Sequence, residues 1–150
     1  MCKILKRIRI RFENGDSLTA RLLVDKAPQT CEKIWSSLPL ESVVTQSRWS
    51  GREVNFAYME KDMPRRENQT IYTSIGEVCY WRDWSWEEDG EHPQAIAIYY
   101  GAELARSHRG SEPVNVFAQV DYHEFGRLAQ IGERIWLEGK EKIFIERLEE

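Results

Sequence analysis

The sequence predicts a mainly β protein: a closed antiparallel barrel of about eight strands, with two short helices at its ends. Three observations point there. Short segments with apolar residues at alternate positions recur along the chain. Turn signals separate them, the strongest being Asn14-Gly15 between two strand patterns. Strand and helix never alternate as a parallel sheet requires. At 150 residues the chain is expected to form one domain over 1–150, long enough to enclose a real core.

The elements follow in order. "KILKRIRIRF" and "SLTARLLV" flank Asn14-Gly15 as a hairpin, with Lys6, Arg7, Arg9 and Arg11 on its solvent side. "APQTCEKIWSSL" reads as a helix near 28–37: Pro28 suits a first turn, and Ala27, Cys31, Ile34, Trp35 and Leu38 share one face. Pro39 ends it. Strands over Ser42–Arg48 and Glu53–Met59 are predicted next, then a polar loop, "EKDMPRRENQT". "GEVCYWRD" and "QAIAIYYG" are strands on either side of a long acidic, Trp-rich loop spanning 82–93. "VNVFAQV" follows the polar "RSHRGSEP". Asp121 and Glu124 form a capping-box pattern for a short helix near 122–131. "ERIWLEGKEKIFIERL" is expected to close the chain as a hairpin about Gly139 and Lys140.

Composition narrows the function. With 41% apolar residues, 31% charged residues and a net charge of −4, the chain lacks the basic excess of a nucleic-acid binder. No signal segment opens it and no run approaches a membrane span, so a cytoplasmic protein with no membrane partner is expected. Cys2, Cys31 and Cys79 suggest no disulfide framework, and His92, His108 and His123 are scattered, so neither a metal site nor a cofactor is predicted. No serine or cysteine sits in a nucleophile elbow. Six Trp and six Tyr suggest surface aromatics and a possible homo-oligomer.

The order of elements resembles that of the cyclophilins. "DKAPQTCEKIWSSL" resembles the segment in which Pro-Lys-Thr-Ala-Glu-Asn-Phe opens the first cyclophilin helix. "VNVFAQV" resembles the strand His-Val-Val-Phe-Gly-Lys-Val. A closer resemblance is to small bacterial proteins with a cyclophilin-like barrel and no established function. Their recurrent motifs correspond here to Ser47-Arg48-Trp49-Ser50-Gly51, Gly76-Glu77-Val78-Cys79-Tyr80-Trp81, Tyr99-Tyr100-Gly101 and Asn115-Val116-Phe117-Ala118. The resemblance implies the barrel and places Arg48 where cyclophilin-type prolyl isomerases carry an arginine. Their Gln-Phe-Phe strand aligns with Gln94-Ala95-Ile96, so the aromatic floor is missing, and their His before Val-Val-Phe is Val114.

One stretch exceeds what a turn needs. "TQSRWSGREVNF" places Arg48, Trp49, Ser50, Gly51, Arg52 and Glu53 between two strand patterns, where about two turn residues suffice. On one reading Arg48 pairs with Glu53 or a backbone carbonyl, Trp49 covers a barrel end and Gly51 supplies a positive φ. On the other, Arg48 binds a carboxylate or amide oxygen, Trp49 stacks on a planar group and Glu53 orients Arg48 from behind. Trp81, Tyr99, Tyr100 and Asn115, with His108 nearby, are either packing or the rest of that pocket, and the Trp-rich loop is either its lid or a solvated loop pinned by Trp84 or Trp86. The expected function is binding of a small anionic or amide-bearing molecule. The alternatives are a prolyl isomerase with a degenerate site, acting through Arg48, and a protein-interaction barrel.

Overall fold

A computed structural model describes residues 6–85 and 92–148. Eight strands close the barrel: β1 (Arg7–Phe12), β2 (Ser17–Leu22), β3 (Leu40–Gln46), β4 (Glu53–Ala57), β7 (Glu77–Arg82), β8 (Gln94–Tyr99), β12 (Val114–Val120) and β13 (Glu141–Leu148). They run in the order β2-β1-β13-β3-β4-β8-β7-β12, and pairing of β12 with β2 shuts the ring. All these pairings are antiparallel. Shorter strands decorate it: β5 (Gln69–Thr70) on β12, β6 (Tyr72–Thr73) with β9 (Glu103–Leu104), and β10 (Arg106–Ser107) with β11 (Gly110–Ser111). Among the described residues no helix is long and apolar enough to cross a membrane.

Period-2 alternation sorts the side chains. Ile8, Ile10, Leu18, Ala20, Val54, Phe56, Ile96 and Ile98 point into the barrel and are buried. Helix α1 (Pro28–Ser37) adds Cys31 and Ile34 to this core, as its apolar face predicts. Burial lifts the Cys31 thiol to about 12, so it behaves as an inert apolar group.

Helix α2 (Phe125–Glu138) corrects the predicted closing hairpin. Glu133–Glu138 is its last turn and a half, and only β13 is strand. Leu128, Ile131 and Ile135 are buried at spacings of three and four, a helical period that the short Ile-Trp-Leu run disguised. The capping box at Asp121 is not formed: a 3-10 turn (Tyr122–Glu124) precedes the helix, Asp121 pairs with Arg7 at 2.5 Å, and Glu124 accepts the Thr19 N–H.

A second, smaller apolar cluster lies on the outer face of the barrel, where Cys79, Ala97, Tyr99, Val114 and Val116 are covered by Ala105 and its neighbours. That cover is incomplete. Its gap positions the candidate site.

Candidate functional site

Strand register brings the outer face together. Glu53 lies opposite Tyr99, Asn55 opposite Ala97, and Trp81 opposite Ala95, so these side chains share one surface over β4, β8 and β7. Two alanines leave room there. A cavity of about 320 Å³ opens above Ala95 and Ala97, with Glu53, Asn55 and Tyr99 in its lining, Trp81 on one wall and Arg48, Trp49, Arg106 and Ser107 around the mouth. The small side chains of Ala95 and Ala97 on this face of β8 leave the space.

The 47–52 loop owes its length to this mouth. The Ser47 hydroxyl oxygen accepts the N–H groups of Trp49 and Ser50 at 3.1 and 2.9 Å, winding the chain tightly, and Gly51 turns it back at φ 67°. The Ser50 hydroxyl accepts the Arg106 N–H and donates to the Arg106 carbonyl, both at 2.9 Å, tying the loop to the β10–β11 hairpin. The two guanidiniums of the loop then differ. Arg52 is clamped on Glu103, whose Oε2 accepts its side-chain Nε–H at 2.6 Å and its backbone N–H at 2.9 Å. Arg48 is exposed and makes no ion pair with any described residue. Trp49, 53% exposed, meets the His108 ring at 6.1 Å.

Glu53 is the chemical surprise. The expectation that it pairs with Arg48 or holds it from behind is corrected: alternation directs Glu53 onto the sheet face beneath the cavity, while Arg48 stands out on the loop. Only 5% exposed, Glu53 accepts the Asn55 amide at 2.9 Å, with the Ser47 hydroxyl also in reach and the Ser50 hydroxyl beside it, its proton given to the Arg106 carbonyl. Burial raises its carboxyl above the ordinary range, and those donors offset only part of that effect. The same burial raises the Tyr99 hydroxyl, and the neighbouring Glu53 charge adds to it.

Asn115 and Tyr100 are not part of this cavity. Alternation turns Asn115 to the face opposite Val114, where it is fully buried. Its amide donates to Thr30 Oγ1 and the Arg65 carbonyl, and its oxygen accepts from Glu67 N–H and Gln69, so its hydrogen-bonding capacity is used in holding the 65–69 segment. Tyr100 faces α2: its hydroxyl donates to Gln46 at 2.5 Å, and it walls a separate groove of about 600 Å³ with Arg52, Glu133 and Trp136, which Arg48 also lines. That groove is larger, but it has no buried ionisable group. Trp81 lines the cavity with its indole N–H given to Glu112 at 3.2 Å.

Of the proposed lid, Trp84 packs edge-on to Tyr80 and donates to the Pro113 carbonyl, away from the cavity, and 86–91 lie outside the described residues. Sequence reasoning missed Ser47, Ser50, Asn55, Arg106 and the paired alanines. The alternation in "QAIAI" was the available signal for the last. Among the described residues, one group of potential metal ligands lies within 4.8 Å, Asp121, His123 and Glu124; none of them lines this cavity, and Asp121 is engaged with Arg7 and Glu124 with the Thr19 N–H.

Comparison with known proteins agrees with this architecture. McbB, in a structure described as its complex with tryptophan, superposes with a TM-score of 0.73 at 18% identity, over 95% of this chain. This chain spans 45% of McbB's length. The hypothetical protein AF2241 from Archaeoglobus fulgidus matches at TM-score 0.63 and 22% identity, over 98% of both chains. The Mimivirus cyclophilin matches at 0.56 and 12%, over 95% of this chain and 87% of its own. At such identities the likeness establishes the fold, a cyclophilin-like barrel. No curated protein sequence matches. Residues 12–146 match the family described as a protein of unknown function, DUF3830, and the chain belongs to that family.

Proposed function

We propose that this protein binds a small anionic or amide-bearing molecule in the outer-face cavity. The observation that carries the proposal is the unpaired Arg48 at the mouth of a cavity walled by two indoles. A guanidinium presents a planar fork of donors that a carboxylate or amide oxygen satisfies, and Trp49 and Trp81 offer flat faces to a planar group. At about 320 Å³ the cavity sits at the small end of ligand pockets. McbB is described in complex with tryptophan, which makes aromatic carboxylates the natural first probes. A prolyl isomerase reading has less support, since Ala95 and Ile96 align with the proline-holding aromatics.

Titration with phenylacetate and phenylacetamide, followed by Trp fluorescence and thermal shift, tests the proposal. Either probe should raise stability, by about 2.7 kcal/mol at a hundredfold excess over its dissociation constant. Arg48→Ala should abolish this while changing stability itself by no more than about 0.5 kcal/mol, because the side chain is exposed and unpaired. Failure of both probes to bind overturns the proposal.

A further inference from the structure

A carboxylate at the bottom of a cavity asks for a cation. Glu53 is 5% exposed, and the polar side chains set against its carboxylate, Asn55, Ser47 and Ser50, are neutral. The groups facing it from β8 and β7, Tyr99 and Cys79, carry no positive charge either. The cavity's two arginines do not neutralise it: neither Arg48 nor Arg106 forms an ion pair with it. Glu112, the remaining charged group in the lining, is a further anion that holds Trp81 and Arg109. Amide and hydroxyl donors fix the carboxylate without compensating its charge. A buried charge so placed is costly unless the carboxyl keeps its proton or something else supplies the counter-charge.

We infer that the ligand itself supplies it: a protonated amine seated on Glu53, in the same small molecule whose carboxylate or amide meets Arg48. This rests on the binding proposed above and narrows its ligand class to amphoteric molecules of amino-acid size. The two sites are arranged for that division. Glu53 lies on the floor, where an ammonium loses water and gains a charge-assisted bond, and Arg48 stands at the solvent edge. An ionised carboxylate is an acceptor only, and an ammonium brings donors only, so their hydrogen-bonding needs match.

The test compares matched probes by calorimetry: 3-phenylpropionate, which has the carboxylate alone, phenylalanine, which adds the amine, and N-acetylphenylalanine, in which that amine is no longer charged. For the unaltered protein, phenylalanine should bind about tenfold or more tighter than either of the others. In Glu53→Gln, an isosteric change, the advantage should vanish while 3-phenylpropionate binding persists. Equal binding of all three, or an amine advantage that survives Glu53→Gln, overturns the inference yet leaves an anion site at Arg48 standing. If no carboxylate probe binds at all, the binding proposal falls and this inference with it. The probe series needs no variant, so a misfolded Glu53→Gln would not remove the test.

Discussion

Among the described carboxyls whose titration is shifted, Glu53 alone is raised, so it makes its own pH-dependent contribution to stability. Burial raises its carboxyl above the ordinary value of 4.5, so the folded protein keeps this proton to higher pH than the unfolded chain does. Below 4.5 both states are protonated and the group is neutral in its effect. As pH rises from there through the raised folded value, folding opposes ionisation and stability falls, then levels off. Asp16 and Asp83 act oppositely: hydrogen bonds, chiefly from Asn14 and Ser85, lower their carboxyls, and the stability they add is lost as pH falls. Those contributions cancel between wild type and Glu53→Gln. Urea unfolding should therefore find the variant the more stable at neutral pH, with the gap closing below about pH 4.5. A gap that persists in acid would assign the effect to packing. Asn115 shows the opposite fate of a buried polar residue, fully paired and spent on structure.

Among the elements, α2 is the clearest case where period and packing disagree with a local reading. Its Gly132 is the point of contact with Tyr100. A Cβ built there would stand 2.3 Å from the root atom of the Tyr100 ring, which cannot swing aside while its hydroxyl is held by Gln46. Intrinsic propensity favours alanine over glycine in a helix by about 1 kcal/mol. Overpacking costs about 1–3 kcal/mol, and the ring leaves little room for relief. Gly132→Ala should thus destabilise the protein despite the better helix former, and a rise in the urea midpoint would show that the ring yields. Strand β8 makes a related point at the site: Ile96 and Ile98 serve the core while Ala95 and Ala97 leave the opposite face hollow.

For the molecule as a whole, pairing of β12 with β2 closes the barrel and removes the free edges of an open sheet. Association between copies would then fall to surface side chains. Trp136 and Leu137, at the end of α2, are 63% and 66% exposed, an apolar pair that water solvates poorly. The homo-oligomer expected from the aromatic content remains a proposal, and light scattering at micromolar concentration decides it. A mass above that of one chain is expected, reduced by Trp136→Ser; a monomeric mass refutes it.

Alternation, turn chemistry and the Pro28 helix start were local signals, and they made an antiparallel barrel and its first helix legible, whereas the second helix, expected near 122–131, runs Phe125–Glu138. Arg48 and Trp49 were legible for the same reason: a loop longer than its turn requires, filled with costly residues, stands out in the chain itself. The cavity was not legible. It exists because Glu53, Ala97, Trp81 and Arg106, remote in sequence, are brought onto one face by register between three strands and a small hairpin. Whether a carboxylate meets a guanidinium or an amide, and whether an asparagine faces ligand or core, depends on side-chain direction across strands. Only the tertiary structure decided that, because closing a barrel assigns each alternate residue to an interior or an exterior that no single strand defines alone.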